Sequence, residues 1–247
     1  MLLRRFSKHV TDQNWFAVGL DVLVVIAGIF LGMQVTEWND ERKNKDAERT
    51  IIKRISAETN SGLKVIDSYL ALHNQLIKSG LGLIQKLDKD KTCDLSDQEL
   101  SDGLIRVASF PPLDFEFMIL DELVESGRVI LITDADVRGK LASIRSNLNL
   151  VKHQWERYSR TKGETASVAV ATAGAVIVSD SNFYLDKNSI DTMSFRTPEM
   201  LCGNYRVIGQ MSNAVTVNIA YRAYLNRYRT ALLDWQLTIN KYTVVIK

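Results

Sequence analysis

Hydrophobic positions along the 247-residue chain fall into one dense run and several periodic stretches. From Trp15 to Val35 the run WFAVGLDVLVVIAGIFLGMQV is interrupted by strongly polar side chains only at Asp21 and Gln34. A hydrocarbon core of ~30 Å takes about 20 helical residues, so the run is long enough to span a bilayer. Trp15 and Trp38 bracket it as aromatic interface anchors. Arg4, Arg5 and Lys8 ahead of it would also suit a secretory signal, but the chain continues MQVTEWNDERKN with no small-residue cleavage site. The run also exceeds the ~7–15 residues of a signal core. The pattern therefore predicts a basic tail over 1–14, a transmembrane helix over 15–36 and a helical extramembrane domain over 37–247.

Beyond the span, Ile52, Ile55, Leu63, Ile66, Leu70, Ile77, Leu81 and Ile84 recur at three-and-four spacing, which predicts a long helix to about Leu87. Thr59, Gly62, His73 and Gly80 interrupt a strict coiled-coil seam, so the helix is expected to pack within its own chain. Asp88–Asp97 reads as a polar loop, and Ser96 with Glu99 makes a capping box for a helix to about Ala108. Pro111 and Pro112 follow, then a helix from about Asp114 to Glu125 with Gly127 as its C′ residue. Val129–Ile132 is a connector or a buried strand-like turn. A long helix begins at Asp134 and carries Val137, Leu141, Ile144, Leu148, Val151 and Trp155 inward. Ala166–Val178 is too short to span a membrane and is expected as a core helix. Ser179–Arg196 reads as a loop, Pro198 opens a short helix ended by Gly203, and a last helix covers about Tyr205–Ile239. Val207, Met211, Val215, Ile219, Leu225, Leu232, Trp235 and Ile239 lie near one side of it. Four long helices with short connections predict an all-α antiparallel bundle.

Asp21, Val25, Gly28 and Gly32 share one face of the span, with Gly28 and Gly32 forming a GxxxG pattern that lets helix backbones approach. An ionisable group is costly in lipid, so Asp21 is expected to face protein or water. Two readings of this face remain: self-association of the helix, or a chance pattern with Asp21 close enough to the interface to reach water. Lysine and arginine flank the span on both sides. The downstream set Arg42, Lys43, Lys45 and Arg49 opens a long domain whose export is largely indifferent to charge, so the short basic tail is expected inside and the domain outside.

Composition supports the helical reading. The 13 glycines and 3 prolines are about half the usual share, too few for the frequent turns of a sandwich or barrel. A chain that is 46% hydrophobic with formal charge +2 is not a disordered polymer either. The mean hydropathy of -0.07 averages the span with a more polar domain.

The segment LDVLVVIAGIFLGMQVTEWNDERK resembles the N-terminal hallmark of a family of uncharacterised bacterial single-span membrane proteins. In that hallmark an acidic residue opens a VVIGI-like stretch that leads to LQV or LQI and W-N-[ED]. The matching positions are Asp21, Val24 to Ile29, Gln34, Val35, Trp38, Asn39 and Asp40, with Asp21 in place of the more usual Glu. LVESGRVILITDADVRGKL is similar to a second family pattern through Ser126, Gly127, Ile130, Ile132, Asp134 and Arg138. The two segments cover about a fifth of the chain, and its C-terminal half carries no matching signature. The resemblance implies a membrane anchor with a helical extramembrane domain and no established activity.

Signatures of catalysis are scarce. G-x-S-x-G, Walker A, G-x-G-x-x-G, H-E-x-x-H and paired C-x-x-C are all absent. Ser61 and Lys64 match S-x-x-K, but S-D-N and K-T-G partners do not follow. His9, His73 and His153 are isolated from one another. The nearest approach to a metal site is DKDKTCDLSDQE, where Asp88, Asp90, Thr92, Asp94, Ser96 and Glu99 occupy the ligand positions of a calcium loop. Cys93 stands where the sharp turn requires glycine, so a solvated loop ending in a helix cap is the preferred reading. Cys93 and Cys202 can pair if the domain is outside, or can equally be two buried thiols. Arg/aromatic helix faces around Trp155–Arg160 and Tyr221–Arg229 could meet an anionic lipid or polymer. No concentrated basic domain favours nucleic acid.

The sequence thus leads to the expectation of a single-pass protein of the bacterial inner membrane, without enzymatic activity or cofactor, acting as an interaction or scaffold module. Its expected partners are the lipid bilayer, a second copy through the transmembrane helix, and a membrane or periplasmic protein. A periplasmic ligand sensor, or an accessory subunit of a larger membrane complex, is the alternative; an envelope hydrolase is a third class.

Overall fold

The computed structural model describes residues 15–89, 95–178 and 192–245. Helix α1 covers Trp15–Lys89, α2 Asp97–Ala108 and α3 Met118–Glu125. A 3-10 turn at Arg128–Leu131 leads to α4, Ala135–Ala173. Strand β1, Ala175–Val178, pairs antiparallel with β2, Thr192–Phe195, in the register Ala175↔Phe195 to Val178↔Thr192. A second 3-10 turn, Pro198–Leu201, precedes α5, Tyr205–Val245. The chain divides into two compact units after Ile52. In the first, an 18-residue stretch of α1 has mean hydropathy 1.9 and none of it is buried.

The second unit is an all-α bundle with one small hairpin. Helix α5 carries a heptad stripe without interruption: Val207, Met211, Ala214, Asn218, Tyr221, Leu225, Tyr228, Leu232, Trp235 and Ile239 are each no more than 3% exposed. Alternating steps of four and three place such positions along one seam of a left-handed bundle. On α4 the same alternation runs through Val137, Leu141, Ile144, Leu148 and Val151, all buried, and continues to Trp155, Tyr158 and Lys162. Side-chain pairs fix the direction of packing. Asn60 meets Gln236, Asp67 meets Arg229 at 2.6 Å and Asn74 meets Arg222 at 2.6 Å, so steps of seven up α1 match steps of seven down α5. Lys140 to Asp234 at 2.6 Å and Thr133 to Tyr242 at 3.2 Å show that α4 and α5 are antiparallel too.

Residues that break the apolar pattern of α1 mark where other segments come close, as intramolecular packing requires. A Cβ on Gly62 would lie 2.8 Å from Cζ of Phe115, and one on Gly80 2.6 Å from Cγ2 of Val215. Because Gly80 occupies the core position, Leu81, one residue round the helix, is turned outward at 45% exposure. On α5, Ile219 is likewise 42% exposed, since the heptad stripe passes through Asn218 instead. Both had been expected on a buried face.

Among the described residues three helices are long, where four were expected. Helix α4 runs unbroken through Ala166 to Ala173 and ends at Gly174, whose φ of 60° admits the left-handed turn. The β-branched run Val176-Ile177-Val178 then leaves the helix as a strand, so Ala166–Val178 is not a separate core helix. Thr192–Phe195 is its partner rather than loop. Helix α3 starts at Met118 rather than near Asp114, because residues 109–117 are pulled out across the bundle by contacts described below. Val129 to Leu131 lie in a 3-10 turn, with Ile130 77% exposed and Ile132 fully buried beyond it. The Ser96–Glu99 capping box and the left-handed Gly127, φ 69°, stand as expected. At the far end of α1, the Gly203 amide donates to the Leu87 carbonyl at 2.8 Å, satisfying one of the helix's terminal acceptors.

Candidate functional site

The residues singled out on the apolar helix remain open. Asp21, Val25, Gly28 and Gly32 are exposed along one face, and a Cβ built on Gly28 or Gly32 would meet nothing within 4 Å. Trp15 begins α1, and Trp38 is 66% exposed. The Thr36 hydroxyl donates to the Gly32 carbonyl at 2.9 Å, a bond that keeps its polar group within the helix.

At the calcium-like loop, the described residues are already engaged. Glu99 accepts from the Ser96 amide at 3.1 Å and from Lys86 Nζ at 2.9 Å. Those contacts, Lys86 first, hold its carboxyl below the usual range. Asp88 sits in the last turn of α1, whereas Asp90, Thr92, Cys93 and Asp94 lie outside the described residues. Among the described residues no group of three or more His, Cys, Asp or Glu side chains could hold a metal ion. Cys202 is disulfide-bonded. Ser61 donates back to the Ala57 carbonyl at 3.3 Å from an exposed position, while His153 and Glu156 form only a 3.9 Å surface pair.

The interior holds a polar layer that the motifs did not indicate. His73 on α1 and Asn218 on α5, both fully buried, meet at 3.0 Å between Nδ1 and Oδ1. Phe110 packs edge-on to His73 at 5.8 Å and to Tyr221 at 4.9 Å, and stacks on Trp155 at 6.4 Å. Among the described residues, His73 Nε2 and Asn218 Nδ2 have no hydrogen-bond partner. Burial, with a further push from the Lys162 charge, lowers the imidazole to about 4 even though the Asn218 bond raises it. Neutral His73 therefore donates from Nδ1 to the Asn218 oxygen, the one tautomer in which that contact is a hydrogen bond. Both residues fall on core heptad positions of their helices, which the apolar pattern did not reveal because it turned Ile219 inward in place of Asn218.

Two charged side chains terminate the short helices from outside. Lys162, 2% exposed, donates to the Val107 carbonyl and, at 3.4 Å, to the Ser109 carbonyl at the C-terminal end of α2. A cation suits that end of a helix dipole, although burial lowers the ammonium to about 8. Glu58 Oε1 accepts from the Ile119 amide at 3.1 Å at the start of α3, a helix with no cap of its own. Burial raises its carboxyl more than these amides lower it. Between the two caps, Trp155 Nε1 donates to the Phe110 carbonyl at 2.9 Å, and the Asp114 amide donates to the Tyr69 hydroxyl at 3.2 Å. Residues 109–117 are thus strapped over the bundle at several points.

The second sequence pattern builds a corner. Gly127 makes the left-handed turn after α3, Ile132 is buried, and Asp134 Oδ1 accepts from the Val137 amide at 3.0 Å to start α4. Arg138 Nη1 donates to the Ile132 and Thr133 carbonyls at 2.5 and 2.9 Å. Beside this corner a groove of about 470 Å³ runs between α3 and α4, floored by Leu120 and Leu141 and edged by Arg138 and Arg145. Comparison of the whole chain with protein-family models, curated proteins and solved structures finds no match.

Proposed function

We propose that the protein is a single-pass membrane protein in which residues 15–36 anchor an extracytoplasmic helical domain, and that this domain is a non-enzymatic interaction or scaffold module of the bacterial inner membrane. The observation that carries the reading is the exposed apolar stretch of α1, at mean hydropathy 1.9 with none of it buried in the chain. Leucine, isoleucine and phenylalanine exposed at that density would be costly in water and are stable in lipid. The resemblance at Asp21, Gln34, Trp38 and Asn39 points the same way. Arg4, Arg5 and Lys8 on one flank and the disulfide-bonded Cys202 on the other favour an extracytoplasmic domain.

The interaction part of the reading rests on the open face of Asp21, Val25, Gly28 and Gly32. Two such helices pack through their glycines and shield Asp21 from lipid. Carbonate washing of membranes tests the anchor: the full chain stays in the pellet, and release into the supernatant would remove the proposal. Gly28→Ile with Gly32→Ile should weaken self-association in a membrane two-hybrid assay; unchanged association would exclude this face as the contact.

A further inference from the structure

The groove beside α3 and α4 combines an apolar floor with an unneutralised cation. Leu120 and Leu141 are buried at its base, Val124 and Val129 line it half-buried, and Ala142 is exposed on its wall. The volume of about 470 Å³ lies within the roughly 300–1,000 Å³ of small-molecule sites. Its two arginines differ. Arg145 Nε faces Asp121 Oδ1 at 3.2 Å, so that charge is already balanced. Arg138 bonds only to the neutral carbonyls of Ile132 and Thr133, both through Nη1, and among the described residues no carboxylate lies within ion-pair distance of it. Those two bonds fix the guanidinium while Nε and Nη2 keep donors to spare. A fixed, partly buried cation beside an apolar trough calls for an anion that carries its own apolar tail.

We propose that this groove binds a single-chain anionic amphiphile, a long-chain fatty carboxylate, with the carboxylate on Arg138 and the chain lying along Leu141 and Leu120 toward Arg145. The two arginine Cα atoms are about 10 Å apart along α4 at 1.5 Å per residue, so the chain passes one balanced charge rather than ending on a second cation. Helical bundles commonly place ligand sites between facing helices. The proposal goes beyond the membrane reading and does not depend on it, because every groove residue belongs to the second unit.

The test uses the full chain in amphipol with a diazirine-bearing palmitate, crosslinked by light and mapped by mass spectrometry. Label should concentrate between Leu120 and Asn149 and be competed by palmitate but not by uncharged cetyl alcohol. Ala142→Trp, which fills the groove from an exposed position, and Arg138→Gln should each reduce that label about tenfold, the loss expected for one buried apolar contact or one charge-assisted contact. Label on the apolar stretch of α1 should not change and serves as the internal standard. Label confined to that stretch, equal competition by the alcohol, or undiminished label in Ala142→Trp would each overturn the proposal. If Arg138→Gln does not fold, Ala142→Trp and the alcohol competition decide it.

Discussion

The buried His73–Asn218 pair makes the stability of the bundle depend on acid in a way that can be calculated. His73 is completely buried, and its imidazole titrates at about 4 in the folded chain against 6.5 when free. A folded-state value below the unfolded one means that the unfolded chain takes up the proton first. Stability is therefore whole above pH 6.5 and is lost as the pH falls toward 4. Taking 6.5 and about 4 as the two values, protonation of the unfolded chain at pH 4.5 costs the fold roughly 2–3 kcal/mol relative to pH 7.5. That is a large fraction of the 5–15 kcal/mol typical of a domain. Other groups titrate in the same window, so the assay compares wild type with His73→Gln, which keeps an amide for Asn218 but cannot be protonated. Urea unfolding followed by circular dichroism at the two pH values should show a fall in wild type exceeding that in the variant by roughly 2–3 kcal/mol. Equal acid dependence in the two proteins would refute the assignment of a buried, neutral His73.

Glu58→Ala removes a side-chain acceptor at the start of α3 and should cost about 1–2 kcal/mol in urea unfolding, with Glu58→Gln recovering part of the loss. Gly62→Ala and Gly80→Ala gain about 1 kcal/mol of helix propensity but drive a methyl to 2.8 and 2.6 Å from Phe115 and Val215. Overpacking of about 1–3 kcal/mol wins there, so both should lower the melting temperature. Gly139→Ala and Gly209→Ala meet nothing within 4 Å and should raise it. Cys202→Ser should lower stability by about 2–4 kcal/mol under oxidising conditions and have no such effect after reduction.

How far the sequence could be read depended on whether the information was local. Caps and turns are local, so the Ser96–Glu99 box and the Gly127 corner were legible from a few residues. Periodicity located α1, α4 and α5, but a single helix pattern cannot say which of two neighbouring positions meets a partner. Leu81 gave way to Gly80 and Ile219 to Asn218, because the partner side chains Val215 and His73 decide the seam. The end of α4 was misplaced because Ala-rich segments suit a helix wherever one is already running. It stops at the left-handed Gly174, and β1 then pairs with β2. Lys162 and Glu58 belong to no motif in the sequence, since their roles depend on helix ends more than 50 residues away. The groove was invisible for the same reason, although the pattern containing Arg138 had drawn attention to one of its edges.

The central claim is that residues 15–36 cross a membrane once and leave the helical domain outside the cytoplasm. Two reporters fused in turn after Lys247 test it directly: alkaline phosphatase, which is active only outside, and a fluorescent protein that matures only inside. High phosphatase activity without fluorescence is the expected result. Fluorescence without phosphatase activity would contradict the account and remove the oxidising environment on which the Cys202 disulfide depends.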